Sequence, residues 1–299
     1  MKKIIGTHDG AFHLDETTSI ALLSLTSEYK NNEIKRTRKE EELQECDIVV
    51  DVGKVFDHSK KLYDHHQYGF SEKWPNSPII FSSAGLIFKF YGKEVILRLS
   101  KGPKISFQND EEIEWFMNKW YFFYFISIDA EDNGTPISTV QQFYHPLGSL
   151  RSVIAAYSDR KAVDKGCHVA KNELVKSFYR LLLSWKPTAQ KYPPEYFGEE
   201  VVVVDDEMAD IVTLCEMAYL GQKCKIIVKK EKNVFIGRIA KDGMNNAFQW
   251  PQKWRGLYGS ELKKIVGNGA ICVDRMGLEL ISNDIETIQK AFSIAKKLQ

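Results

Sequence analysis

Three short apolar runs in the first 66 residues each end in chemistry. Lys3-Ile4-Ile5 leads through Gly6-Thr7 to His8, Ile48-Val49-Val50 leads to Asp51, and Leu62-Tyr63 leads to Asp64-His65-His66. The segments between them read as helices. Asp15 to Tyr29 carries Ile20, Leu22, Leu23 and Leu25 on one side, and a short acidic helix is expected near Glu40 to Glu45. A strand of mixed polarity is expected at Glu33-Ile34-Lys35-Arg36. Strand alternating with helix implies right-handed crossover units and a parallel sheet. In such sheets ligands gather beyond the carboxyl ends of the strands. One fold rule therefore brings His8, Asp51 and His65 to a single edge. Alone, the Asp64-His65-His66 triplet is equally a polar turn after a strand. Five of the seven histidines lie in this region (His8, His13, His58, His65 and His66), which argues for more than a turn.

Further along, Ser82 to Tyr91 reads as a helix packed on the sheet. Glu111 to about Ala130 reads as another helix, with Trp115, Phe116, Trp120, Phe123 and Tyr124 spaced for a buried face. That helix ends in Ile128-Asp129-Ala130-Glu131-Asp132-Asn133-Gly134, where Asp129 and Asp132 share a face. Acids at a helix C-terminus oppose the dipole unless a cation compensates. The C-terminal half alternates again: Val201 to Val204 as a buried strand, Asp210 to Leu220 as a helix, strands near Ile226, Ile236 and Ile271, and a closing helix from Asp284. The expected architecture is α/β: an N-terminal parallel-sheet catalytic domain over 1–135, a helical connector over 136–195, and a smaller C-terminal α/β substrate domain over 196–299.

A formal net charge of +1 removes any global electrostatic case for binding a polyanion or a membrane surface, so an anion site must be local or depend on bound cations. The five cysteines, Cys46, Cys167, Cys215, Cys224 and Cys272, are odd in number and contain no C-x-x-C pair. That excludes a thiolate zinc site and a disulfide framework, and favours a reducing, cytoplasmic setting. No apolar stretch reaches the roughly 18 residues of a membrane span, and no signal-peptide apolar region is expected.

His8, His13, Asp15, Asp51, Asp64, His65, His66 and Asp129 form the candidate site. A mixture of imidazole and carboxylate without thiolate suits Mn²⁺ first and Mg²⁺ second. There are too many anionic groups for one open site. Two ions about 3.5–4 Å apart, bridged by a carboxylate, would use them and would clamp a phosphate.

These motifs, in this order, resemble the DHH phosphoesterase superfamily, which includes the family II inorganic pyrophosphatases, the RecJ nucleases and the oligoribonucleases. Within it, five segments resemble the melanocyte proliferating gene family: Gly6 to Glu16, Asp47 to Gly53, Tyr63 to Gln67, Ile128 to Gly134 and Trp254-Arg255-Gly256-Leu257. The resemblance implies a DHH-type fold and a two-metal 3′-to-5′ exonuclease acting on RNA or short oligonucleotides. By motif it makes His8, His13, Asp15, His65 and Asp129 metal ligands and Asp51 the bridging carboxylate. His66 becomes the phosphate contact and acid, and Asp64 the group that orients an imidazole. Asp132 rivals Asp129, and spacing does not separate them. Trp254 and Arg255 would stack a base and grip a phosphate, or Trp254 pins an interdomain loop. Where relatives have a glycine-rich, His-containing segment after the last strand, this chain has Asp274 to Leu280, which puts the RNA substrate in question. The alternatives are a phosphohydrolase for small nucleotides or pyrophosphate, and a non-catalytic nucleic-acid-binding protein that keeps the metal site. A homo-oligomer is compatible with all three.

Overall fold

The computed structural model describes residues 2–102, 106–135, 150, 154, 162–242 and 245–298. The chain divides into two compact units, Met1–Leu181 and Leu182–Gln299. The segment expected as a connector, 136–195, falls across both. Among the described residues no helix is long and apolar enough to cross a membrane.

The first unit holds a five-stranded sheet. Its strands are β1 (Lys3–Thr7), β2 (Asn32–Arg36), β3 (Ile48–Val50), β4 (Phe56–Asp57) and β5 (Leu62–Tyr63), in the order β2-β1-β3-β5-β4. β2, β1, β3 and β5 run parallel, and only the edge strand β4 is antiparallel. The parallel pairing expected from the sequence is thus the observed one. β3 is buried along its whole length, as its β-branched residues suit. Helix α1 (Leu14–Leu23) is buried from Asp15 to Leu23, because helices cover it as well as the sheet: it packs on α3 (Ser83–Leu99) and α6 (Val163–Arg180). Between β2 and β3 lies the short α2 (Glu40–Leu43).

The expected aromatic helix is broken. α4 (Asp110–Trp120) passes through a π turn at Tyr121–Phe125 into α5 (Ile126–Asp132). Phe116, Trp120 and Phe125 are fully buried, and Phe125 stacks on Phe88 of α3 at 4.0 Å. Trp115 and Phe123, expected in the same buried face, are 44% and 42% exposed. Trp115 lies off the face of α4 that Ile113, Phe116, Met117 and Trp120 bury, and the wider π turn shifts the register at Phe123, so a single 3.6-residue period does not carry through it.

The C-terminal unit begins with α7 (Lys186–Lys191). Its sheet contains β6 (Val201–Val204), β7 (Ile226–Glu231), β8 (Val234–Ile239), β11 (Ala270–Val273) and β12 (Glu279–Ser282), in the order β11-β12-β8-β7-β6. β9 (Lys241–Asp242) and β10 (Asn245–Asn246) form a separate two-stranded ribbon. β6 and β7 are parallel, joined through α8 (Ile211–Leu220), and the remaining pairs are antiparallel. Val203 is 39% exposed because β6 is an edge strand and not the buried one its four valines suggest. Its core gathers Ile226, Val228, Trp250, Trp254, Leu262 and Ile288, with α9 (Ser260–Val266) and α10 (Ile285–Lys296) supplying the last two.

Candidate metal centre

The register of the N-terminal sheet determines which side chains meet. β1 pairs with β3 at Ile5–Ile48 and Gly6–Val49, and β3 with β5 at Val49–Leu62 and Val50–Tyr63. The next residues along each strand, His8, Asp51 and Asp64-His65-His66, therefore leave one sheet edge together. Asp51 turns there in a left-handed conformation with φ 56°, which Asp tolerates better than most residues, and donates its N–H to the Tyr63 carbonyl at 2.9 Å. The first turn of α1 adds Asp15 and Glu16 to this edge. Glu16 Oε1 accepts the His13 N–H at 2.7 Å, which fixes how the helix starts.

His8 Nε2 lies 3.2 Å from Glu16 Oε1 and 3.4 Å from Asp51 Oδ2. His65 Nε2 lies 2.9 Å from Asp132 Oδ2 and 3.8 Å from both Asp15 Oδ2 and Asp51 Oδ1. Asp51 and His65, from separate strands, thus converge as expected. Two donor sets result: His8, His13, Glu16 and Asp51, and beside it Asp15, His65 and Asp132. Ligand atoms within each set lie within 4.8 Å of one another. Asp51, Asp64, His65 and His66 make a third, overlapping set. His8 Nε2, Glu16 Oε2, Asp51 Oδ1 and His65 Nε2 are buried with no hydrogen-bond partner among the described residues. The two imidazole nitrogens face carboxylates at ion-pair distance without hydrogen-bond geometry, and Glu16 Oε2 and Asp51 Oδ1 have no donor at all among the described residues, an arrangement that a cation would satisfy. Imidazole nitrogens and carboxylate oxygens converging in this way fit divalent cations, which would take the place of the protons.

The supporting groups are equally specific. Asp15 accepts the Ser83 N–H at 2.9 Å and the Ala84 N–H at 2.5 Å, so the first turn of α3 holds the acid in place. Asp64 Oδ1 accepts the His65 N–H at 2.8 Å, the His66 N–H at 3.1 Å and a bond from His66 Nδ1 at 2.7 Å. It orients the exposed His66 ring, as the sequence motif implies.

Asp129 occupies a different place. Its Oδ1 accepts Ser82 N–H at 3.0 Å and Ser82 Oγ–H at 2.8 Å, and its Oδ2 accepts Tyr121 O–H at 2.8 Å. It is fully buried and absent from all three donor sets. A Cβ on Gly85 would stand 2.5 Å from Asp129 Oδ1, so Gly85 is what lets α5 approach α3 this closely. The geometry puts Asp132, three residues on, into the position expected of Asp129. Glu16 was not anticipated. Its only sequence signal is its spacing, three residues after His13 at a helix start.

In the C-terminal unit Trp254 is fully buried, packed in the core 6.3 Å from the Trp250 ring. It has no face to offer a base, and the stacking expected of it lacks a surface. Arg255 lines an open cavity of about 620 Å³ with Gln249, Gln252 and Lys253, and its Nη2 donates to Gln249 Oε1 at 2.8 Å. The Asp274 to Leu280 segment forms the β11–β12 turn, where a Cβ on Gly277 would stand 2.6 Å from Arg255 Nε.

Burial opposes protonation of His8 and of His65, but the surrounding carboxylates outweigh it and lift both to about 9. Burial pushes Asp15 well above the usual carboxylate range, reinforced by Asp51 and Asp132. Burial likewise raises Asp129, to about 6, against its three hydrogen bonds. Without cations, protons are what hold this cluster of acids together.

Residues 4–297 match the family described as Uncharacterised protein family (UPF0160), MYG1_exonuc. The chain belongs to this family. The MYG1-family chain is 29% identical to the MYG1 exonuclease of Rattus norvegicus over 318 residues, spanning 91% of this chain and 79% of the rat protein. It is 41% identical to the MYG1 protein of Caenorhabditis elegans over 157 residues, spanning 51% of this chain and 45% of that protein's length. Among solved structures, RecJ from Thermus thermophilus in complex with Mn²⁺ aligns over 99% of this chain and 52% of its own, at 12% identity and a TM-score of 0.27. A TM-score that low transfers neither fold nor activity. The match to the MYG1 family model covers the strand-end motifs and the Trp254-Arg255 segment alike.

Proposed function

We propose that this chain is a metal-dependent phosphoesterase that uses two divalent cations, Mn²⁺ ahead of Mg²⁺. As substrate we assign RNA or short oligonucleotides, shortened from the 3′ end in the cytoplasm. The observation that carries the reading is the pair of adjoining donor sets that meet at Asp51 and His65, four of whose atoms are buried without hydrogen-bond geometry. Family membership supports it: the rat relative is named an exonuclease.

His8, His13, Glu16 and Asp51 would hold one cation, and Asp15, His65 and Asp132 the other, with Asp51 Oδ1 3.8 Å from His65 Nε2 and so placed to serve both. Bound there, the cations would neutralise phosphate charge and acidify an attacking water. The α3 N-terminus holds Asp15 in one orientation, which limits reorganisation during turnover. His66 is exposed at the rim, its Nδ1 bonded to Asp64. That bond leaves Nε2 for a phosphate or a leaving oxygen, and the Asp64 carboxylate raises the imidazole's proton affinity.

An alternative reading keeps one observation behind it. With Trp254 in the core, the base platform that favoured a nucleic acid is missing, which favours a small-nucleotide or pyrophosphate-type substrate. Labelled RNA, DNA, dinucleotides and pyrophosphate, each with Mn²⁺, Mg²⁺ and EDTA, separate the readings. Metal-dependent release of mononucleotides from the 3′ end is the expected result. Cleavage of pyrophosphate alone favours the alternative. Tight Mn²⁺ binding without turnover of any substrate identifies a non-catalytic binder.

A further inference from the structure

The sequence Arg36-Thr37-Arg38 ends β2, so it leaves the same sheet edge as His8 and Asp51. Its two arginines are used differently. Arg36 Nε donates to the His8 carbonyl at 3.0 Å and Nη2 to the Gly10 carbonyl, and its guanidinium lies 4.7 Å over the Phe12 ring. It holds the loop that carries His8 and His13. Arg38 is placed differently: it lines a cavity of about 890 Å³ together with His8, His13, Asp51 and His66.

That cavity changes character away from the donor sets. Its wall is apolar, with Leu43, Val52, Val55 and Leu62, and Val55 is 44% exposed. Three cations, Arg38, Lys54 and Lys60, line it against a single further acid, Glu40, outside the donor sets and Asp64. Lys60 is paired with Asp57 at 3.3 Å. Arg38 Nε is 3.2 Å from Asp9 Oδ1, but both side chains are at least half exposed, and such surface pairs exchange readily. Lys54 has no ion pair among the described residues, and its backbone N–H is tied to Asp64 Oδ2. The root of Lys54 is thus fixed beside the Asp64-His65-His66 triplet while its ammonium remains available.

A cavity lined by metal-ligating, apolar and cationic groups together is complementary to a ligand with two anionic groups joined by an organic spacer. Inorganic phosphate lacks the other anionic group, and pyrophosphate lacks the spacer. We propose that Arg38 and Lys54 hold a second, non-reacting phosphate of the substrate, making the site selective for chains of at least two phosphates over isolated phosphodiesters. This rests on the phosphoesterase reading above and narrows its substrate class. Arg38 suits the role because a guanidinium binds phosphate bidentately.

The test is the full-length chain with saturating Mn²⁺ acting on two dinucleotides of the same sequence, one carrying a terminal phosphate and one not. The wild type is expected to favour the phosphorylated dinucleotide by about tenfold or more in kcat/KM, mainly through KM, the size of one charged hydrogen bond. Arg38→Ala and Lys54→Ala should each move that ratio towards one, and Arg38→Lys should keep part of it. The preference should also weaken with added salt, less so in either alanine variant. A wild-type ratio near one, or a ratio that survives both substitutions, overturns the inference while leaving the phosphoesterase reading intact. A wild type that binds Mn²⁺ and cleaves neither dinucleotide overturns both. Thermal melts of each variant with and without Mn²⁺ establish that it is folded, and Lys54→Ala carries the test if Arg38→Ala is not.

Discussion

As strings of residues, the strand-end cluster of the N-terminal unit and the Gln249-to-Tyr258 loop of the C-terminal unit are equally suggestive, yet burial treats their side chains differently. In the cluster, polar atoms are driven inward and left unpaired: His8 Nε2, Glu16 Oε2, Asp51 Oδ1 and His65 Nε2. In the loop, Trp250 and Trp254 went inward and became core, Tyr258 stays exposed, and Arg255, Lys253 and the glutamines line an open cavity with Trp250 and Pro251. A tryptophan gains by burial whether or not a ligand exists. A buried carboxylate beside others gains only when something positive joins it. Burial therefore argues for function in the cluster and against Trp254 as a base platform in the loop.

The sharpest way to break the contrast is Asp51→Asn. Activity should fall by more than about 10²-fold, the scale of one lost electrostatic contact at a reacting centre. The metal-free fold should be unchanged or slightly firmer, since Asn accepts the left-handed φ of 56° and the change relieves the repulsion that raises Asp15. Thermal melts in EDTA decide this, and a large loss there would make Asp51 a structural residue. Trp254→Ala should do the reverse. Emptying a fully buried indole costs about 3–5 kcal/mol, and the C-terminal unit should lose that stability with or without substrate. Equal stability, with weakened binding of base-containing substrates, would restore the stacking role.

Asp129→Ala and Asp132→Ala sharpen the comparison within three residues of chain. Loss of the Asp129 carboxylate strands Ser82 N–H, Ser82 Oγ–H and Tyr121 O–H, and should cost about 1–3 kcal/mol in urea melts. Loss of Asp132 should spare the fold and weaken Mn²⁺ binding in calorimetry. The opposite pattern would return Asp129 to the ligand set.

A smaller effect follows from protons. His8 and His65 hold protons up to about pH 9 in the folded, metal-free protein, against an ordinary 6.5. Below 6.5 that stabilisation is complete. Between 6.5 and 9 the folded state keeps protons that the unfolded chain has released, so melting temperature should fall as pH rises. With saturating Mn²⁺ the trend should flatten or reverse, because metal binding gains as the imidazoles deprotonate. A metal-free melting temperature that is level across this range would mean that the two imidazoles are already neutral.

What was legible in the sequence was period and punctuation. Apolar runs leading to His8, Asp51 and His65 specified a parallel sheet and its functional edge, because strand alternation and crossover handedness leave few other arrangements. Choices made by packing were not legible. Asp129 and Asp132 share a helix face, and only the close approach of α3 at Gly85 decides which carboxylate is sequestered. Glu16 reads as an ordinary capping residue until His8 is seen 3.2 Å away. Phe123 lost its expected burial to a π turn that no apolar period announces, and Trp115 lies off the Ile113-Phe116-Met117-Trp120 face that α4 buries.

The central claim is that the strand-end cluster holds two cations about Asp51. Anomalous scattering from Mn²⁺-soaked crystals tests it without reference to any substrate. The account predicts two manganese peaks flanking the Asp51 carboxylate, one reached by His8, His13 and Glu16, the other by Asp15, His65 and Asp132. No peak at this edge, or a single one held by Asp64 and His66, would contradict it.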